Sequence, residues 1–191
     1  MTEAFVPPSY SSAADATWRC ADLCDAMRDV IGAALRVLPP RLASLGGRSW
    51  YFGEAVIAQS TQADGAMSLA DLLQTSGHGR VLVVDGRGNA QHAILGDRMA
   101  ALAVQHGWSG IVLWGYARDL RELSRMPLGV HALGARPNRP VQMTPAHLGR
   151  SIEMDDVTVR EGDWIYADED GVIALGARHT TLMQEARPAS A

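Results

Sequence analysis

The sequence predicts a single α/β domain with a central βαβ unit and C-terminal antiparallel hairpins. Two short apolar runs, at residues 80–85 and 110–114, are typical of buried strands. Residues 97–106 between them carry apolar side chains at helical spacing, and Gly107 follows where a glycine commonly ends a helix. A helix joining two buried strands predicts a parallel pair with a right-handed crossover. Residues 157–175 alternate between apolar and polar around two glycine-containing turns, which predicts the hairpins.

The N-terminal part of the chain predicts a tail, two helices and a strand. Residues 1–14 are rich in Ser, Pro and Ala, which favours a flexible tail. Apolar residues recur at helical spacing over 17–28, and the aromatic and β-branched stretch 49–59 indicates a strand. Ser68 and Asp71 stand three residues apart before a leucine-rich segment. That spacing is typical of a capping box at the start of a short helix.

The chain after the βαβ unit predicts a further helix, strand and loop before the hairpins begin. Residues 120–125 favour a short helix and residues 129–134 a strand. The prolines that follow predict a loop, because proline lacks the N–H group that a central strand needs. These prolines are Pro137, Pro140 and Pro145.

Length and composition limit the class of protein. The chain has 191 residues, enough for one domain, which we assign to residues 15–178, with 179–191 as a C-terminal helix or tail. The net charge is −4 and no basic stripe is present, which argues against a nucleic-acid partner. The sequence begins without a signal-peptide pattern and contains no apolar run of membrane-spanning length. We therefore expect a cytoplasmic protein with no membrane partner.

All 17 basic residues are arginine, and the absence of lysine excludes one kind of catalysis. A Schiff-base aldolase needs a lysine amine to attack the substrate carbonyl. Any chemistry through a carbanion must therefore take its electron sink from a metal or another bound group.

Candidate functional residues lie after the two strands of the βαβ unit, where ligands of α/β proteins commonly bind. Asp97 opens the central helix, whose free N–H groups would suit a carboxylate, although helix capping is the better explanation of Asp97 by itself. Arg118 could grip a carboxylate or an enolate, and Asp119 could ligate Mg²⁺ or Mn²⁺. The alternative for this pair is a surface ion pair, with Asp119 capping the helix that begins at Leu120. The convergence of all three residues on one edge favours a site.

Asp97, twenty intervening residues and Arg118-Asp119 together resemble the signature of the RraA-like family, which includes 4-hydroxy-4-methyl-2-oxoglutarate aldolases. The resemblance covers roughly residues 17–175, and no single piece carries it alone. The similar segments, in order, are residues 17–27, 83–88, 93–97, 108–112, 115–119, 129–134 and 162–172.

The resemblance implies a swivelling β/β/α domain that assembles as a homotrimer or hexamer, with the site at a subunit boundary. It implies Asp119 as the ligand of Mg²⁺ or Mn²⁺, and Arg118 and Asp97 as catalytic residues. The residues implied to bind a small α-keto acid substrate are Gly96, Asp97, Arg98, Met99 and Arg118.

The activity implied is that of a class II aldolase and oxaloacetate decarboxylase working through a pyruvate enolate. Longer relatives supply a C-terminal acid from a neighbouring subunit, and no residue here matches it. One rival is a non-catalytic regulator that binds ribonuclease E. Another is dinucleotide binding, prompted by Gly86 and Gly88, but Gln91 stands where the third glycine of that fingerprint belongs.

Overall fold

The computed structural model describes residues 19–28, 34–60, 67–140 and 145–176. The predicted tails at 1–14 and 179–191 lie outside these ranges, as does the predicted helix start at Thr17. The helices are α1 (Cys20–Ala26), α2 (Leu69–Leu73), α3 (Asp97–Gln105) and α4 (Leu120–Leu123). The strands are β1 (Leu35–Val37), β2 (Ala43–Ser44), β3 (Tyr51–Ser60), β4 (Met67–Ser68), β5 (Val81–Asp85), β6 (Gly110–Ala117), β7 (Gly129–Ala135), β8 (Pro145–Gly149), β9 (Ser151–Met154), β10 (Val157–Arg160), β11 (Trp164–Asp168) and β12 (Gly171–Leu175).

The main sheet has a parallel centre and antiparallel flanks. Its strand order is β1-β12-β11-β3-β5-β6-β7-β2, and β8 pairs with both β3 and β4. The neighbours β3–β5, β5–β6 and β6–β7 run parallel, which confirms the predicted parallel pair of the βαβ unit. Strands β11 and β12 form the hairpin predicted around Asp170-Gly171. The hairpin predicted around Gly162-Asp163 is wrong, because β10 pairs with β9 in a separate two-stranded sheet and β11 pairs with β3.

The two faces of the sheet are covered by different layers. Along β5, Leu82 and Val84 face the helices α2 and α3, whereas Val81 and Val83 face the β9–β10 hairpin. All four side chains are buried, and each contributes about 1.5–3 kcal/mol by leaving water. The arrangement is the β/β/α layering expected from the sequence, with few helices and C-terminal hairpins.

Several elements differ from the sequence-based predictions. Strand β6 continues to Ala117, three residues beyond the predicted end, and α4 ends at Leu123 instead of residue 125. Pro145, which we assigned to a loop, begins β8. The capping box is confirmed, because Asp71 N–H donates to Ser68 Oγ at 3.1 Å and Ser68 N–H donates to Asp71 Oδ2 at 3.1 Å.

A buried polar cluster, formed by Tyr51, His131 and Asp168, lies on the hairpin side of the sheet. Tyr51 Oη lies 2.9 Å from His131 Nδ1, and His131 Nε2 lies 3.1 Å from the carbonyl oxygen of Asp168. A carbonyl only accepts, so Nε2 carries the proton and Nδ1 accepts from the Tyr51 hydroxyl. Gly110 and Gly129 flank the Tyr51 ring, and a Cβ at either position would overlap it.

Within the described ranges, no helix is long and apolar enough to cross a membrane.

Candidate functional site

The start of α3 is held beside the end of β6 by main-chain hydrogen bonds. Ile94 N–H donates to the Tyr116 carbonyl at 3.0 Å, and Arg118 N–H donates to the Leu95 carbonyl at 2.9 Å. Leu95 also forms an isolated parallel bridge with Ala117. The loop that enters α3 therefore runs alongside the last residues of β6. This is why Asp97 and Asp119, 22 positions apart in sequence, meet at one edge of the sheet.

Asp119 lies at the position that precedes α4, yet its carboxylate does not cap that helix. Its backbone has φ 59° and ψ 42°, in the left-handed region that costs most residues about 1–2 kcal/mol. This turn directs the side chain toward the start of α3. There Asp119 Oδ2 accepts from Arg118 Nε at 3.0 Å and from Asp97 N–H at 3.3 Å. The expected ion pair is present, and Asp119 is the N-cap residue of α4 as expected, but its side chain makes no capping hydrogen bond.

Gly96 occupies the cap position of α3, and Asp97 is the first residue of the helix. The helix-capping interpretation of Asp97 is therefore wrong, and its Oδ1 accepts from Arg98 N–H at 2.7 Å instead. A Cβ on Gly96 would lie 2.7 Å from Asp119 Oδ2 and 3.1 Å from Arg118 Cγ. A glycine at this position is what allows the Arg118-Asp119 pair to pack against the helix start.

The electrostatics of the pair keep both side chains charged at neutral pH. The Arg118 guanidinium holds the pKa of the Asp119 carboxyl below its usual range, with a smaller contribution from Asp97 N–H, while partial burial opposes the shift. The same hydrogen bond raises the pKa of Arg118. The side chains remain 33% and 24% exposed for Arg118 and Asp119, respectively, so a ligand could reach both.

The Asp119 carboxylate suits a divalent ion that keeps several water ligands, such as Mg²⁺, and does not suit an ion that needs a closed set of protein ligands. Among the described residues, no group of three or more His, Cys, Asp or Glu side chains could hold a metal, so a closed protein cage is absent there. Mg²⁺ commonly keeps several waters and takes only one or two protein carboxylates. An ionised, partly exposed Asp119 fits that coordination.

The structure brings Gly96, Asp97, Arg118 and Asp119 together, as the sequence analysis expected. The side chains of the other two predicted residues do not join this group. Arg98 is exposed, and Met99 packs against the core beneath the helices. Arg136 also lies at this edge, where its N–H donates to the Ala117 carbonyl at 2.9 Å. Sequence reasoning missed it, because an exposed arginine in a predicted loop carries no distinguishing pattern.

The chain belongs to the RraA-like family, whose Aldolase/RraA model matches residues 20–174. A relative from Halorhodospira halophila, named "Putative 4-hydroxy-4-methyl-2-oxoglutarate aldolase", is 42% identical over 161 residues, which cover 84% of this chain and 96% of the relative. A relative of the same name from Laribacter hongkongensis is 42% identical and covers 80% and 92% of the two chains.

Solved structures with the same fold carry other names. The RNA-processing inhibitor RraA from Thermus thermophilis is 31% identical with a TM-score of 0.72, and the match covers 83% of this chain and 92% of that one. A Geobacillus kaustophilus structure named S-adenosylmethionine:2-dimethylmenaquinone methyltransferase is 32% identical, also with a TM-score of 0.72, over 83% and 95% of the two chains. The names of these relatives therefore differ on the activity, so the site residues must decide the chemistry.

Proposed function

We propose that the protein is a divalent-metal-dependent aldolase that cleaves 4-hydroxy-4-methyl-2-oxoglutarate to pyruvate and also decarboxylates oxaloacetate. The observation that carries this proposal is the ionised Asp119 carboxylate, held between Arg118 Nε and Asp97 N–H at the start of α3. A metal carboxylate beside a guanidinium is the combination that an enolate-forming reaction requires. The names of the most similar curated relatives support the same reaction.

Arg118 is the residue to which we assign stabilisation of developing charge. In the aldol cleavage the C3–C4 bond breaks, the C4 hydroxyl loses its proton, and C4 becomes the ketone of one pyruvate. The electron pair of the broken bond remains on the other fragment as a pyruvate enolate. A guanidinium beside the enolate oxygen lowers the activation barrier, because it interacts more strongly with the enolate than with the neutral ketone.

Asp119 would hold the Mg²⁺ or Mn²⁺ ion, which when bound supplies Lewis-acid polarisation of the substrate keto group. The substrate carboxylate would lie at the start of α3, where the helix dipole favours an anion. Asp97 would position a water for proton movement, as its carboxylate stands beside the same edge.

Oxaloacetate fits the same proposal because loss of carbon dioxide from it leaves the same pyruvate enolate. Only the leaving fragment differs between the two reactions. We further propose a homotrimer or hexamer with the site at a subunit boundary, as the family resemblance implies, and a cytoplasmic location remains a prediction.

The test is pyruvate release from both substrates with Mg²⁺, with Mn²⁺ and with a chelator, against the spontaneous metal-catalysed background. The variant to compare is Asp119→Asn, because asparagine tolerates the left-handed backbone as aspartate does and removes the charge and one acceptor oxygen. We expect metal-dependent turnover in the wild type and a loss of about 10²–10³-fold in the variant. Asp119→Ala serves as a second variant that removes all side-chain oxygens.

The competing function is a regulator of ribonuclease E that acts by binding, and the similarity to the Thermus RNA-processing inhibitor supports it. A regulator has no use for an ionised carboxylate between Arg118 and α3. No turnover above background from a folded wild-type oligomer, with either metal, would overturn the enzyme proposal and favour the regulator.

A further inference from the structure

The end of β7 places a second arginine beside the proposed site. Strands β6 and β7 are parallel, with Tyr116 paired to Gly134 and Ala117 paired to Ala135. Arg136 follows directly, and its N–H donates to the carbonyl of Ala117, the residue before Arg118. The main chain of Arg136 is thus one strand spacing, about 4.8 Å, from the segment that carries the proposed catalytic arginine.

The Arg136 guanidinium is held in place by an aromatic ring. Its Cζ lies 5.6 Å from the centre of the Tyr116 ring, within the range of a cation–π contact. Gly134 lies beside the same ring, and its φ of 145° suits glycine. The Arg136 guanidinium therefore lies beside Tyr116, two residues before Arg118 in the sequence and next to the last residue of β6.

The charge of Arg136 is not matched by any carboxylate in the part of the chain that the structure describes, whereas Arg118 is paired with Asp119. The segment that carries Arg136 is fixed to the loop that leads into α3. Ala93 N–H donates to the Asn138 carbonyl at 2.9 Å, and Asn138 Nδ2 donates to the Gln91 carbonyl at 2.8 Å. A cation anchored at the edge of an anion-binding site is placed to receive a second anionic group.

We propose that Arg136 binds the distal carboxylate of the substrate and so makes the site selective for 2-oxo dicarboxylates over 2-oxo monocarboxylates. This inference rests on the proposed function for the position of the first carboxylate. Both proposed substrates carry a second carboxylate at the far end from the 2-oxo acid group. A planar guanidinium can bind such a group through two parallel hydrogen bonds.

The test measures binding as well as turnover, so that the two proposals can fail separately. Calorimetric titration of the Mg²⁺-loaded protein compares 2-oxoglutarate with 2-oxopentanoate, which has the same five-carbon chain without the distal carboxylate. Wild type, Arg136→Gln and Arg139→Gln are compared. Arg139 is an exposed arginine three residues further along the same loop, so this control removes the same charge from the same segment.

We expect the wild type to bind 2-oxoglutarate more tightly than 2-oxopentanoate. Arg136→Gln should lower the affinity for 2-oxoglutarate about tenfold and leave the affinity for 2-oxopentanoate unchanged. Arg139→Gln should keep the preference. A wild type that binds the two acids equally or binds neither, an Arg136→Gln protein that keeps its preference, or equal losses in the two variants would overturn the inference. Selective binding that depends on Arg136, in a protein that releases no pyruvate, would support Arg136 and refute the aldolase.

A second variant covers the case in which Arg136→Gln does not fold. Arg136→Lys keeps the charge but cannot form two parallel hydrogen bonds to one carboxylate. The affinity for 2-oxoglutarate alone should therefore decrease by a few-fold. An equal loss for both acids would instead indicate a general disturbance of the site and overturn the assignment.

Discussion

Two polar regions of this molecule differ in how completely their hydrogen-bonding groups are satisfied. In the buried polar cluster of Tyr51, His131 and Asp168, each residue is at most 1% exposed. Both ring nitrogens of His131 have partners, and the Asp168 carboxylate accepts from Cys20 N–H at 2.8 Å and Asp170 N–H at 3.0 Å. At the candidate site, the Arg118 and Asp119 side chains stay a quarter to a third exposed, and the backbone of Asp119 is left-handed.

This difference indicates that the buried polar cluster contributes to stability, whereas the candidate site is available for function. A buried polar group must form its hydrogen bonds within the protein, because a buried donor or acceptor without a partner costs about 1–3 kcal/mol. The cluster therefore fixes β3, β7 and β11 relative to one another. Partly exposed charges on a strained backbone contribute little to stability, and they are available to a ligand. Substitutions in the cluster should thus lower stability and spare activity, and substitutions at the site should do the reverse.

Among substitutions that leave every charged side chain of the site in place, the largest expected effect is that of Gly96→Ala on activity. The backbone at Gly96 is extended and accepts alanine, but the new Cβ would lie 2.7 Å from Asp119 Oδ2. The carboxylate must move, and a displacement of about 1 Å at a reacting centre commonly costs about 10²-fold in rate. We expect kcat/KM for pyruvate release to fall by about that factor, with a melting temperature close to the wild type's.

Gly107→Ala, at the other end of α3, is the matched control for this prediction. Its φ is 73°, which strains alanine, but a Cβ there meets nothing within 4 Å. It should lower stability by about 1 kcal/mol and leave kcat/KM unchanged. Equal activities for Gly96→Ala and the wild type would show that the position of the Asp119 carboxylate does not matter.

The next largest effect is that of Tyr51→Phe on stability. This change removes the hydroxyl and leaves His131 Nδ1 buried without a donor. We expect the free energy of unfolding in urea to fall by about 1–3 kcal/mol, with activity unchanged. Ser124→Ala removes an exposed hydrogen bond to the Arg121 carbonyl and should change stability by less than about 0.5 kcal/mol. If Tyr51→Phe and Ser124→Ala lowered the free energy of unfolding by similar amounts, the distinction between the two regions would be contradicted.

The parallel centre of the sheet could be predicted from sequence because its strands are continuous apolar runs separated by a helical pattern. Strands β5 and β6 are such runs, and each strand pairs with its neighbour as expected. Strand β8 could not be predicted, because it begins at a proline and leaves Leu148 58% exposed. Its pairing with β3 is a tertiary contact across more than eighty residues, which no local pattern encodes.

The candidate site was predictable as a set of residues and not as a geometry. The position of Asp97 before a helix and of Arg118-Asp119 after a strand indicated a shared edge. The sequence could not reveal that Gly96 takes the cap position or that Asp119 turns toward α3. The left-handed backbone of Asp119 is one of two conformations open to a single residue, and one of the hydrogen bonds that its carboxylate accepts comes from the distant Asp97 N–H.

The smallest expected effect is a pH dependence that separates the two regions within one experiment. Burial lowers the pKa of His131 below its ordinary value of 6.5, and the carbonyl and charge of Asp168 and the charge of Glu169 oppose this only partly. Burial also raises the pKa of Tyr51, so its hydroxyl stays a donor. The unfolded chain therefore binds more protons than the folded one below about pH 6.5, and stability must fall as the pH decreases through that window.

The candidate site should not respond over the same range, because the pKa of Asp119 is lowered and its carboxylate stays ionised. We expect the free energy of unfolding in urea to decrease from pH 7.5 to pH 5.5. In His131→Gln, whose amide keeps one donor and one acceptor without titrating, this part of the decrease should disappear. If the wild type and His131→Gln lost stability equally, protonation of His131 could not be the cause, and the neutral tautomer assigned to the buried polar cluster would be wrong.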